Sequence, residues 1–526
     1  MSSPTLPTPL PLHECAVVVS PLDNVAVVKR LMTGDETVLL ADGTALAITG
    51  KVTPGHRFAT REIPSEELVL QYGAPIGTSR GIAAGDPITP ENMSNEVPVV
   101  REVKPGLTNP APDYVADDAL DTFQGYLRPD GRVGTRNVVL IVPTSMCSSH
   151  EASQIALRAE FTLLDKERFP NVDGIVALPH NKGCGCNEGE PLDLLLRTLR
   201  NYADHPNVGG VIFLDLGCEK TNITMFGRYI KGEGRALSWS KPEKWMSVQA
   251  AGGTMKAIEQ GLKFVEEMLP EVNKTSRSDC NLSELILGVK CGGSDGFSGL
   301  SANPSLGHCS DLLIRQRGSV LITEVPEFCG AEHIFAARAR NAEVAQDIYD
   351  FVDWYIASAG RVGSKLNDNP SPGNKAGGLL NIAIKSLGAL AKSGTTRVEG
   401  CIPYAQPPTR KGLHLMQGPG YDQESTPGLI AAGAQIVVFT TGRGTTIGNA
   451  IAPVIKLASN TTTYERMRGD LDLSAGGVID GDESIEEVGR RVYEHVRRVA
   501  SGEILAKAEE TGHREFQVWA GESISL

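Results

Sequence analysis

The stretch "GRVGTRNVVLIVPTSMC", Gly131 to Cys147, decides the fold class. Its centre, "NVVLIVP", is an uninterrupted apolar run of strand length, and it breaks at a Pro-Thr-Ser turn. Strands buried on both faces have this form, because parallel sheets are covered by helices on each side. Similar runs recur downstream: "GIVALP", "GGVIFLDLG", "ELILGV", "SVLITEV", "AQIVVFTTG" and "APVIKLA". Several lead into helical patterns such as "HEASQIALRAEFTLLDKE" and "IEEVGRRVYEHVRRVASG". The alternation predicts an α/β protein with largely parallel sheets.

The first hundred residues have a different texture. "NVAVVKRL", "TVLLADGTALAITG" and "LVLQYGAPIG" are short strands between Gly, Asp and Pro turns. They predict a small β-rich module over residues 12–100. A proline-rich linker follows at 101–118, then one α/β lobe over 119–275 and a second over 276–526, divided near "VNKTSRSDCNLSE".

The chain has 526 residues, 41% hydrophobic and 21% charged, with a formal net charge of -13. That balance fits a globular protein of two or three domains. It argues against a nucleic-acid groove or an anionic membrane surface. No apolar run reaches the roughly 20 residues of a membrane span. The start, "MSSPTLPTPLPLHE", reads as a disordered tail rather than a signal peptide. Ten cysteines are too sparse for a disulfide scaffold, so a reducing cytoplasm is expected.

Ligands of open α/β sheets collect at the carboxyl ends of strands. Cys147, Cys184, Cys218 and Cys291 each follow a predicted strand, and His180 stands just ahead of Cys184. Four thiols could meet at one soft metal or iron–sulfur site. A free cysteine also packs as a small hydrophobe, and without a CxxC pair spacing alone favours ordinary burial. After "ELILGV" the chain reads "KCGGSDGFSGLSANPSLG", Lys290 to Gly307, a stretch too poor in large side chains to build a core. "TTGRGTTIG" and "NPSPGNKAGG" offer Arg443, Lys375 and Asn374 beside backbone amides suited to an oxyanion. Neither has P-loop spacing, and no GxGxxG opens a helix, which argues against a nicotinamide enzyme.

Together "KCGGSDGFSGLSANPSLG", "EVPEFCGAEH", "NPSPGNKAGG", "FTTGRGTTIG" and "PVIKLASN" resemble the altronate/galactarate dehydratase family. "DGRVGTRN", "FPNVDGIVALPHNKGCG" and "HPNVGGVIFLDLGCEK" extend the match, and "DNVAVV", "GHRFA" and "YGAPIGTS" resemble its SAF domain. The resemblance implies a hydro-lyase that dehydrates a hexonate or hexarate to a 2-keto-3-deoxy acid. It also implies ferrous iron, an iron–sulfur cluster or manganese, now favouring a shared metal site at Cys147, Cys184, Cys218 and Cys291. In that scheme Arg443, Lys375, Asn374 and the Gly292, Gly293 and Ser294 amides hold the substrate carboxylate. Ser294, Asp295 and Asn303 orient hydroxyls, Asp295 being also a catalytic candidate, and His180 or Lys182 carries the proton. A homo-oligomer, a dimer at first guess, acting on a small sugar acid is expected. One departure stands out: the family's N-terminal histidines are replaced by Ser20, Thr89 and Glu91. Rival readings are a sulfolactate-type sulfo-lyase and a sugar-acid-binding protein without catalysis.

Overall fold

The computed structural model describes residues 9–232, 236–519 and 521; most of the N-terminal tail lies outside them. Of that tail, Leu10–Pro11 forms a short strand parallel to Thr37–Leu39, so its end is ordered by pairing. The N-terminal module consists of three small three-stranded sheets. Its strand Val25–Val28 is buried along its whole length and pairs with Arg57–Ala59. Residues 95–116 run on without a helix or strand of their own.

The "NVVLIVP" run forms the strand Val138–Pro143, with every residue buried. It lies between Gly174–Ala177 and Val208–Asp215, and Glu243–Ser247 completes a four-stranded parallel sheet. A seven-stranded parallel sheet follows. Ile286–Cys291 is its middle strand, flanked by Ser319–Ile322 and Ile436–Thr441. The architecture is α/β, as the sequence predicts. Four strands of these two sheets escape that reading: Glu243–Ser247, Val398–Ile402, Gly412–Met416 and Leu473–Ser474.

Both sheets share one core. Leu140, Leu195 and Phe213 of the first lobe cluster with Leu321, Leu429 and Phe439 of the second. Helices Glu190–Asp204 and Asp422–Ala431 meet in this shared layer. A ribbon also crosses the expected boundary: Thr122–Leu127, before the first sheet, pairs antiparallel with Ser278–Asn281, after it. Polar residues fasten the strand entrances. Asn207 Oδ1 accepts the Thr135 amide at 2.8 Å, and Arg136 grips Glu509 at 2.6 and 2.8 Å, which makes Arg136 structural.

Candidate active site

Three of the four expected thiols stand at the carboxyl end of one sheet. Cys147, Cys184 and Cys218 leave the carboxyl ends of three adjacent strands and are exposed. The turns explain this placement. Gly183 has φ +115°, and a Cβ there would lie 2.4 Å from that of Ser145, so only glycine lets the Cys184 loop close on the Cys147 turn. Ser145 accepts the Cys147 amide at 3.2 Å and donates its hydroxyl to Glu219 at 2.8 Å. Glu219 also accepts the Leu216 and Gly217 amides at 2.9 and 2.7 Å, which sets the turn that carries Cys218. Despite burial, these amides hold the Glu219 carboxyl below its ordinary value. The Cys184 thiol is pushed up by desolvation, then by the neighbouring Cys147 and Cys218 thiols. Cys184 has Cys147 as its immediate neighbour and Cys218 within electrostatic reach. The three sulfurs do not all lie within 4.8 Å of one another, the spacing met among the described residues by Cys291, Glu324 and Glu327. They are accessible soft donors of the type that suits iron or a cluster rather than a closed single-ion site.

His180 does not fit the proton-carrier role. It is buried, its Nε2 donates to Pro143 O at 2.9 Å, and its Nδ1 accepts the Lys182 amide at 3.2 Å. Burial holds its pKa down at about 4. With both nitrogens engaged, it shapes the loop that carries Lys182 and Cys184. Lys182 itself is half-buried on that loop.

Cys291 lies elsewhere, at the end of the Ile286–Cys291 strand of the larger sheet, and is a correction to the four-thiol site. Its Sγ is 3.1 Å from Lys392 Nζ, 3.4 Å from Glu327 and 3.7 Å from Glu324. Cys291, Glu324 and Glu327 put ligand-type atoms within 4.8 Å of one another. Yet lysines already occupy this centre. Lys290 pairs with Glu324 and with Asp422 (2.7 Å), Lys392 with Glu324 (2.9 Å), and Lys385 with Glu327 (2.7 Å). Three ammonium groups balance three carboxylates, so a divalent cation would add uncompensated charge and the donor set does not fit one. Burial and Glu324 push the Cys291 thiol up to about 12, so it is neutral. The sequence reading missed this network because its members come from four separate segments. Lys290, a lysine inside a buried strand, was the visible signal.

The glycine-rich loop lines a narrow cavity with Cys291, Ser294, Asp295, Ser298, Asn303 and Lys385, which has room for about one water-sized group. Ser294 is buried and its Oγ has no hydrogen-bond partner. Other expectations are corrected here. Asp295 Oδ1 accepts Ser298 N (2.9 Å), Ser298 Oγ (2.9 Å) and Ser459 Oγ (2.8 Å), and Oδ2 accepts Asn460 at 3.0 Å. It is therefore a loop clasp rather than a free acid or base. Asn303 donates to Gly388 O at 2.9 Å and accepts Thr440 Oγ1 at 2.6 Å. Asn374 donates to Ser294 O at 2.8 Å, and the Gly292 amide is spent on Thr440 O at 3.1 Å. Gly293 O accepts the Arg443 amide at 2.8 Å, while the Arg443 and Lys375 side chains are exposed. Ser20 Oγ stands against the turn at Gly73.

The two centres are linked through one helix turn. Lys182 acts electrostatically on Glu424, in the first turn of helix Asp422–Ala431, and Asp422 of that turn holds Lys290. The loop that carries Lys182 and the lysine–glutamate network thus both reach the start of this helix.

Three family models match in order along the chain. Residues 14–96 match the altronate/galactarate dehydratase SAF domain, 125–273 the second domain of D-galactarate dehydratase/altronate hydrolase, and 282–523 the D-galactarate/altronate dehydratase C-terminal domain. An altronate dehydratase of Bacillus subtilis is 35% identical, over 94% of this chain and 97% of that protein. The chain belongs to the altronate/galactarate dehydratase family. This dehydratase-family protein is an enzyme of the lyase class. It is also 34% identical to a galactarate dehydratase (L-threo-forming) of Escherichia coli, over 94% of this chain and 95% of that protein. A (2R)-sulfolactate sulfo-lyase subunit beta of Chromohalobacter salexigens is 34% identical over 75% of this chain and 96% of that protein. Among the described residues, no helix of the family member is long and apolar enough to cross a membrane.

Proposed function

We propose that this enzyme dehydrates a sugar acid of the altronate or galactarate kind to a 2-keto-3-deoxy acid. The observation that carries the reading is the set of three accessible thiols on one sheet together with the buried Lys290, Lys385 and Lys392 network beside the glycine-rich cavity on the other. Dehydration beside a carboxylate needs positive charge on the carboxylate as the α-proton leaves and an acid at the departing hydroxyl. Exposed Lys375 and Arg443 draw in the anion, and Lys385 lies in the cavity wall. Lys182, on the thiol loop, is the chain's own proton-carrying group in this scheme. Cys147, Cys184 and Cys218 would hold iron or an iron–sulfur cluster, manganese being the weaker match to sulfur donors. The chemistry such a group supplies when bound is Lewis acidity toward a hydroxyl oxygen.

The sulfo-lyase relative supports a second reading, in which sulfite is the leaving group. Assay of anaerobically prepared enzyme against hexonates, hexarates and sulfolactate separates the two. A 2-keto acid formed from a sugar acid without sulfite is expected. Sulfite release from sulfolactate alone would overturn the first reading, and binding without turnover would overturn both.

A further inference from the structure

The cavity beside Cys291 is closed by a residue from another module. Tyr72, in the turn between strands Leu68–Gln71 and Ala74–Ser79 of the N-terminal module, lines it together with Ser294 and Lys385. Both sides are shaped for this contact. A Cβ at Gly299 would lie 2.5 Å from the Tyr72 hydroxyl oxygen, and one at Gly388 3.5 Å from it. Tyr72 also holds φ +60°, a conformation that a bulky residue adopts at a cost. The Asp23 carboxylate keeps it there, accepting the Tyr72 amide at 3.2 Å and the Gly73 amide at 2.7 Å.

Two buried polar groups make the place more than a packing contact. Ser294 Oγ has no hydrogen-bond partner in the cavity wall. Arg57, fully buried and within electrostatic reach of the Tyr72 phenol, leaves Nε and Nη1 unbonded, with one long contact from Nη2 to Gly55 O at 3.5 Å. Buried polar groups are normally satisfied, and a buried guanidinium facing no carboxylate favours an anion nearby.

We propose that Tyr72 makes the N-terminal module part of the active site, its hydroxyl joining Ser294 and the Lys385 ammonium to receive a carboxylate oxygen of the substrate. This rests on the sugar-acid reading above. Burial holds the Tyr72 hydroxyl up at about 12, so it stays a hydrogen-bond donor at any neutral working pH.

The test compares full-length, metal-replete wild type with Tyr72→Phe, which keeps the ring and removes the hydroxyl, and with Ser294→Ala. The probe is the acid that wild type turns over best. A rise in KM and in the calorimetric Kd of roughly tenfold or more is expected for each variant, with Tm and bound metal unchanged. Values within about twofold of wild type for both variants, beside an active wild type, would overturn this inference and leave the sugar-acid reading standing. A wild type that neither binds nor converts any sugar acid would overturn the reading and the inference together.

Discussion

Glu324 is the residue on which the buried network turns. It sits at φ +69°, in the left-handed region, and its carboxylate bridges Lys290 and Lys392. Breaking such a centre leaves a buried charge unpaired. Lys392→Met is therefore expected to lower unfolding free energy by roughly 3–5 kcal/mol, read from urea denaturation. Cys291→Ser, which changes no charge, should cost far less. His180 makes a pH prediction. It stays neutral in the folded state down to about 4, whereas the unfolded chain takes up the proton below 6.5. The unfolded state thus binds more protons between those values, so stability is unaffected above about 6.5 and falls as pH drops toward 4. The slope is at most roughly 1.4 kcal/mol per pH unit for this group. His180→Gln should flatten the urea midpoint against pH in that window; an unchanged slope would refute the assignment. Residue types at strand ends were legible in the sequence. What they bond was not, because Asp295 and His180 look identical on the page whether clasped or free.

At the scale of elements, the parallel strands could be read because burial on both faces leaves no polar alternation. "NVVLIVP" and "AQIVVFTTG" became Val138–Pro143 and Ile436–Thr441. Glu243–Ser247 and Gly412–Met416 escaped because Glu, Lys, Ser or His interrupts their apolar runs. Helix packing left a signal in the glycines instead. Helices Ala302–Arg315 and Ile485–Ala500 cross where Gly489 meets Ser305 and His308, a Cβ there standing 2.6 Å from His308 Cβ. Gly489→Ala gains helix propensity but overpacks this crossing. A net loss of about 1–3 kcal/mol in urea unfolding is expected. A stabilised variant would show that the crossing has slack.

For the whole molecule, function depends on how three units meet. The lobes share the Leu140, Phe213 and Phe439 core, and the N-terminal module seats its Gly55 against Gly296 and Gly377, the Gly296 amide donating to Gly377 O at 2.7 Å. A Cβ at Gly296 would fall 2.1 Å from Gly55 O. Gly296→Ala should push the module away from the loop and lower kcat/KM more than it lowers Tm. Equal losses in both would point to simple destabilisation. The module order was legible through texture and motifs, but the placement of Cys291 away from the other thiols was not. Four cysteines after four strands look equivalent until the strands are divided between two sheets.

Iron per chain and 2-keto acid formation, measured side by side on anaerobically purified wild type and the Cys→Ser variants at 147, 184, 218 and 291, bear most directly on this division. Loss of both iron and turnover in the first three, with iron retained in Cys291→Ser, is the expected result. Full iron and full turnover in Cys184→Ser, or iron lost only from Cys291→Ser, would contradict it.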